Sequence, residues 1–179
     1  MEAQRAVSEV EHDLPLRPTT DFEIFDELYP ALRRFAAVVA DVDIDPDDLV
    51  HDALVATLQR HNLVALDQPQ AYLKRAVVNL ASNKRRRAGR FRALLPKLSN
   101  DEVAHDAYPS DLAVLDALNP TDRAVIFMAD VDGLAHDVIA SELGLSAAAV
   151  RKRASRARAQ LRELLNAESL GDPNERSHT

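Results

Sequence analysis

Two apolar stripes with helical spacing flank Gly144, and they constrain the fold more than any other feature of this 179-residue chain. The first stripe comprises Leu134, Val138, Ile139 and Leu143. Ser146 can cap the next helix, whose stripe comprises Val150, Ala154, Ala157, Leu161 and Leu164. Because glycine tolerates the left-handed backbone of a sharp turn, the spacing predicts a helix-turn-helix over residues 134–164.

The second of these helices carries a cationic face opposite its apolar stripe. Six bases and no acid fall between residues 151 and 162, so the face lacks the i,i+4 pairs of opposite charge common on solvated helices. A capped helix start favours phosphate, and arginine can bond guanine edges in the major groove. The pattern favours DNA binding over an ordinary solvated surface. The candidate residues are Arg151, Lys152, Ser155, Arg156 and Arg158.

Apolar residues also recur at intervals of three and four through residues 21–90. One stripe follows Asp21, which can cap its helix, and a second follows Asp45, a candidate cap, and Pro46. A third begins at Pro69. The chain has only four glycines and 4% aromatic residues, whereas a sheet-rich fold uses more of both. These patterns predict an all-α fold.

The order of patterned and unpatterned segments predicts two small helical domains, 21–92 and 111–165, joined by a flexible linker. The linker, 93–110, contains two prolines and no long stripe, and few compact domains contain so long a connection. Residues 1–20 are predicted to be a flexible lead-in, and residues 166–179 a polar tail.

The net charge of −7 hides a strong segregation of charge. Residues 74–97 carry nine bases and no acid, and residues 151–162 carry six bases and no acid. Fifteen of the 22 bases therefore lie in two short blocks, which predicts two separate contacts with a polyanion on an otherwise acidic molecule.

Several functional classes are excluded or disfavoured. The absence of cysteine excludes disulfides, thiolate metal sites and a cysteine nucleophile. No phosphate-binding loop or hydrolase motif occurs, and the His-Asp dipeptides are scattered, so we expect no enzymatic activity, metal or cofactor. No apolar run is long enough for membrane insertion, and a cytoplasmic location is expected. The dipeptides begin at His12, His51, His105 and His136.

An acidic segment over residues 45–60, the basic segment 70–87, a linker and a helix-turn-helix follow one another in this order. The sequence thereby resembles the bacterial sigma-70 family of RNA polymerase sigma factors, most closely the extracytoplasmic-function (ECF) group. The resemblance implies a promoter-specificity subunit that binds core RNA polymerase and promoter DNA. Whether an anti-sigma factor covers the two domains stays open.

The resemblance assigns core-polymerase binding to the acidic helix. An acidic helix edge with exposed leucine or valine suits a basic helical partner. The alternative is that the acids only complement the helix dipole. The assigned residues are Asp47, Asp48, Leu49, Val50 and Asp52.

The resemblance assigns the melted minus-ten strand to the next helix, where an aromatic ring can stack on a base and cations can neutralise the backbone. The family usually places Trp where this chain has Tyr72, and the alternative is that Tyr72 belongs to the core. The assigned residues are Tyr72, Lys74, Arg75, Asn79, Lys84, Arg85, Arg86 and Arg87.

By the same resemblance, the helix-turn-helix reads the minus-thirty-five element through Ser146 and the cationic face. The family commonly has Glu at Val138 and a larger apolar residue at Ala154. The alternative function is a helix-turn-helix transcriptional regulator whose N-terminal helices sense a ligand or dimerise. The basic block at 74–92 is the feature that this alternative does not explain.

Overall fold

The computed structural model describes residues 20–94 and 110–170, and within them the fold is all-α with no strand. A 3-10 turn covers Leu63–Ala65, a 3-10 segment covers Ser110–Ala117, and a π-helical turn over Phe127–Val131 continues the fourth helix. The α-helices are α1 Asp21–Val39, α2 Pro46–Leu58, α3 Pro69–Leu94, α4 Pro120–Ile126, α5 His136–Leu143 and α6 Ala147–Leu170.

Local capping accounts for where the first two helices begin. The Thr20 hydroxyl accepts from the Glu23 amide, and the Glu23 carboxylate accepts from the Thr20 amide, which forms a capping box. Thr20 is therefore the cap that the sequence assigned to Asp21. Asp21 instead accepts a hydrogen bond from the Val64 amide and attaches the 63–65 turn to α1. Asp45 caps α2, as predicted.

The basic helix α3 runs without a break past Asn79 and Ser82. It ends at Leu94, so it includes the first two residues of the predicted linker. The rest of that linker up to residue 109, the lead-in before residue 20 and the tail beyond residue 170 lie outside the described residues.

The first three helices pack around Leu32, Leu49 and Val77, and the last three around Met128 and Val150. These side chains belong to one continuous buried cluster, which crosses between the two helical domains. The rings of Phe35 and Phe127 meet edge to face across that boundary, with centroids 5.9 Å apart. In this conformation the two domains therefore share a core.

No helix within the described residues is both long and apolar enough to cross a membrane.

Candidate nucleic-acid and partner interface

The turn of the helix-turn-helix has the predicted geometry. Gly144 has φ of 66°, in the left-handed region, and the Leu145 amide donates to the Ala140 carbonyl at 2.8 Å. This six-to-one bond closes α5. The Ser146 hydroxyl then accepts from the Ala149 amide at 3.2 Å and caps α6.

The apolar stripes that flank Gly144 are buried or half-buried with one exception. Ile139 and Val150 are fully buried where the two helices of the motif pack together. Val138 is 41% exposed and lies beside Ser141 on the wall of a cleft, so its predicted place in the stripe is wrong. An eight-residue helix buries a narrow arc, and Val138 falls at its edge.

Four residues of the predicted recognition face point away from the protein. Val150, Ala154 and Ala157 are buried beneath them, which fixes the outward orientation of the face. It is a polar, cationic surface of about one and a half helical turns, a size that fits the major groove. The four exposed residues are Arg151, Lys152, Ser155 and Arg156.

Arg158 is placed differently from those four residues. Its guanidinium donates to both carboxylate oxygens of Asp130, at 2.6 and 3.1 Å. The Asp130 carboxylate raises the pKa of this guanidinium and holds it against the π-helical turn. In this conformation the Arg158–Asp130 ion pair joins α6 to the π-helical turn of the same domain.

The minus-ten candidates on α3 divide into exposed and engaged residues. Asn79 and Arg87 are exposed, and Tyr72 is half-buried with its ring edge to face against His61, centroids 5.1 Å apart. Tyr72 is therefore not a core residue. Lys84 forms an ion pair with Asp52 at 2.9 Å.

The other minus-ten candidates have partners inside the protein. Arg86 is exposed and donates to Asn83 on the same helix. Arg85 donates to the Leu118 carbonyl at 2.8 Å and pairs with Asp41. Lys74 and Arg75 contact the C-terminal domain. Part of the cationic block of α3 thus stabilises the fold.

The structure of the acidic helix α2 corrects the assignment of Leu49 and Val50 to the docking face. Leu49 and Val50 are buried in the core, so the expectation that they are exposed for docking is wrong. Both lie on the face that packs against α1 and α3. The apolar residues on the open face are Val55 and Leu58, which are 55% and 40% exposed.

The three acids of α2 also differ from one another. Asp48 and Asp52 are exposed on the same side of the helix as Val55. Asp47 accepts from the Tyr29 hydroxyl at 2.7 Å and from Arg33 at 2.8 Å. The Tyr29 hydrogen bond, followed by that of Arg33, lowers the pKa of Asp47. Asp47 therefore joins α2 to α1.

The described residues contain no cluster of three metal-ligating side chains. The dipeptides at His51 and His136 lie in separate helices, α2 and α5. Those at His12 and His105 lie outside the described residues.

Comparison with known proteins identifies the C-terminal domain. Residues 112–161 match the family model for sigma-70 region 4, a range that contains the whole turn and the recognition face. The C-terminal domain of this chain is thus similar to sigma-70 region 4.

One relative of this chain is the ECF RNA polymerase sigma factor SigE of Mycolicibacterium smegmatis. The two are 29% identical over 133 residues, which cover 68% of this chain and 52% of SigE. The chain thus spans about half the length of this curated relative. The match confirms the resemblance to the ECF group.

The fold of the chain is also similar to a solved structure, that of the sigma factor RpoE in complex with the anti-sigma factor NepR from Bartonella quintana. The TM-score is 0.58 at 22% identity, and the match covers 81% of this chain and 96% of the other. This similarity confirms the arrangement of two helical domains.

Two residues that position α6 were missed by sequence reasoning. Arg153 donates to the buried carboxylate of Asp122 at 2.6 Å. Asp122 is held in turn by the side chain of Asn119, the cap of α4. The Asn-Pro-Thr-Asp sequence at 119–122 indicates the cap, but no local pattern links it to α6.

Proposed function

We propose that this chain is a sigma factor, a promoter-specificity subunit that binds core RNA polymerase and directs transcription initiation. The observation that carries the proposal is the exposed cationic face of α6 inside a matched sigma-70 region 4 domain. The proposed role is one of binding, in the cytoplasm, without catalysis.

In this proposal, α6 reads the minus-thirty-five duplex. Arg151 and Arg156 contact guanine edges or phosphates, and Lys152 and Ser155 lie on the same exposed face. The capped helix start at Ser146 directs backbone amides toward a phosphate. Arg158 stabilises the helix through Asp130 and contributes charge only at the margin of the face.

The melted minus-ten strand binds along α3. The half-buried ring of Tyr72 supplies a stacking surface, and Asn79 supplies an amide for a base edge. Arg86 and Arg87 follow on the exposed side of the same helix and neutralise backbone phosphates. Lys74 and Arg75 join them once the C-terminal domain no longer covers them.

Core polymerase docks on the open face of α2. Asp48 and Asp52 supply the negative charge, and Val55 with Leu58 supplies the apolar contact that Leu49 and Val50 do not. Charge of one sign beside exposed apolar surface suits a basic amphipathic helical partner. An anti-sigma factor is a further proposed partner, since the solved structure with this fold was obtained with one.

The deciding experiment is run-off transcription with core polymerase and a set of genomic promoter fragments. We expect specific transcripts only when this chain is added, and their loss with Arg151→Ala combined with Arg156→Ala. Arg162→Ala, which removes an exposed charge farther along α6, is the matched control. Tight binding of promoter duplex without any association with core polymerase would instead show a transcriptional regulator.

A further inference from the structure

Lys74 is a buried cation whose partners both come from the C-terminal domain. Its ammonium lies 3.3 Å from the Glu142 carboxylate and 3.7 Å from Asp132, and its side chain is only 7% exposed. The ammonium also lies 5.6 Å from the centre of the Phe35 ring. A buried charge needs such pairing to be stable, so this site is formed by both domains.

The next residue, Arg75, binds the C-terminal end of α5, which is the first helix of the helix-turn-helix. Its guanidinium donates to the Ser141 carbonyl at 2.7 Å and to the Glu142 carbonyl at 3.1 Å. These carbonyls form the C-terminal end of α5, where the helix dipole favours a cation. A Cβ added at Gly144 would lie 3.2 Å from the guanidinium carbon, so the glycine leaves room for Arg75 close to the turn.

The partners of these two cations have the chemistry of a nucleic-acid backbone. Two carboxylates and two helix-end carbonyls present negative charge and hydrogen-bond acceptors, as phosphate oxygens do. Lys74 and Arg75 cannot bind a DNA strand and the end of α5 at the same time.

We propose that the contact of Lys74 and Arg75 with Glu142, Asp132 and the end of α5 is an autoinhibitory clasp. This inference rests on the proposed function, since it assigns the two cations to strand binding in the open state. In the closed state the helix-turn-helix domain occupies part of the site for the melted strand. Binding of the strand or of core polymerase must then open the clasp.

The apolar core that the two domains share stabilises the same closed arrangement as the clasp. Phe35, Phe127 and Met128 meet beneath it, and separating the domains exposes that apolar surface. The closed form is therefore favoured in the free protein. The apparent affinity for the strand is the intrinsic affinity multiplied by the fraction of molecules that are open.

A first experiment weakens the clasp without touching the cations. The variant is Glu142→Gln with Asp132→Asn, and the matched control is Asp137→Asn with Glu163→Gln, which removes the same charge at two exposed positions outside the clasp. Lysine acetylation followed by mass spectrometry reports the exposure of Lys74, with the exposed Lys152 as the internal reference. Binding of a labelled 12-nucleotide single-stranded DNA of mixed sequence is measured in parallel.

We expect the clasp variant to raise the labelling of Lys74 relative to Lys152 by about threefold or more, and to bind the single strand several-fold more tightly. The control should match the wild type. Unchanged labelling overturns the clasp, and raised labelling with unchanged affinity overturns the competition with DNA. The labelling uses neither DNA nor polymerase, so failure of the proposed function, seen as absent run-off transcription, is distinguishable from both.

A second experiment locks the closed form. The chain has no cysteine, and Gln70 and Ser141 line the same cleft between α3 and α5. Gln70→Cys with Ser141→Cys can be joined by a reducible bismaleimide. We expect the locked protein to lose run-off transcription and to regain it after reduction. Full transcription by the locked protein overturns the proposal.

Discussion

The guanidinium of Arg123, which is 1% exposed, lies 2.7 Å from the Asp41 carboxylate and joins α4 to the segment after α1. Its remaining donors reach the Ala40, Leu115 and Leu118 carbonyls. The largest fully buried side chain in the described residues is thus a cation at the junction of the two domains. Its hydrogen bonds stabilise the closed arrangement together with the apolar core.

Arg123→Ala should therefore destabilise the protein strongly. Removing the guanidinium takes a donor from the Ala40, Leu115 and Leu118 carbonyls and leaves Asp41 with Arg85 alone. Loss of one partner of a buried ion pair costs about 3–5 kcal/mol. Urea unfolding followed by circular dichroism measures the change. Arg162→Ala, at an exposed position, should change stability by no more than about 0.5 kcal/mol. A similar small effect at Arg123 would show that water replaces its contacts.

Two glycines should respond to alanine with opposite signs. Gly144→Ala forces a side chain into a left-handed backbone and against Arg75, and should destabilise by about 1–2 kcal/mol. Gly89 lies within α3 with nothing within 4 Å of an added Cβ, so Gly89→Ala should stabilise by about 0.5–1 kcal/mol. Thermal unfolding of both variants checks the signs, and equal shifts would contradict the stated role of Gly144.

The Tyr29–Asp47 hydrogen bond should make stability depend on pH at both extremes. The bond lowers the pKa of Asp47 and raises that of Tyr29. The stabilisation from Asp47 is therefore present above its usual pKa of 3.8 and is lost as the pH falls through the lowered value. The stabilisation from Tyr29 is present below its usual pKa of 10.0 and is lost as the pH rises through the raised value.

Tyr29→Phe tests this dependence through urea midpoints measured across pH. The midpoint should be lower than in the wild type near neutral pH, and the difference should shrink in strong acid and strong base. Tyr72→Phe is the control, since its ring lies against His61 and has no carboxylate partner in the described part of the chain. A difference that stays constant with pH would contradict the role of the bond.

The arginines of α6 should separate into contact and positioning residues. Arg151→Ala and Arg156→Ala should each cost about 1–3 kcal/mol of promoter binding by holoenzyme if they pair with bases. That loss should vanish on a fragment whose upstream element is scrambled. Arg153→Ala should instead lower the unfolding midpoint, because it removes the partner of the buried Asp122. Equal losses on every DNA sequence would reassign Arg151 and Arg156 to phosphate contacts.

Substitutions on the two faces of α2 should have different effects. Asp48→Asn with Val55→Asp changes only the exposed face, so it should abolish association with core polymerase at unchanged helicity. Leu49→Ala creates a cavity in the core and should cost about 2–5 kcal/mol of stability. Pull-down with core polymerase and urea unfolding distinguish the two. Retained association in the Asp48 and Val55 variant would move the docking surface to another helix.

Short-range rules predicted most of the helical structure. The positions of Asp45, Pro46, Gly144 and Ser146 mark where helices begin and end, because capping and left-handed turns depend on the residues next to them. The same rules misplaced the cap of α1 by one residue, since Thr20 and Asp21 are both acceptable caps and only the Glu23 contact distinguishes them.

The candidate sites were predicted less completely than the helices. Periodicity identified the buried stripe of α6, and hence its exposed opposite face, with only Arg158 placed wrongly on it. On α2 it did not separate Leu49 and Val50 from Val55, because all three are apolar and a short helix has neighbours on more than one side. Burial there depends on where α1 and α3 cross it.

By itself, the sequence determined the helices, the turn of the helix-turn-helix and the segregation of charge into two basic blocks, since all of these arise from residues close together in the chain. Only the tertiary structure decided which lysine and arginine side chains face outward. Lys74 and Arg75 look like ligand-binding cations in the sequence, yet they form hydrogen bonds with residues 66 to 68 positions away. A charge is exposed or paired according to what packs against it, and that partner comes from a distant part of the chain.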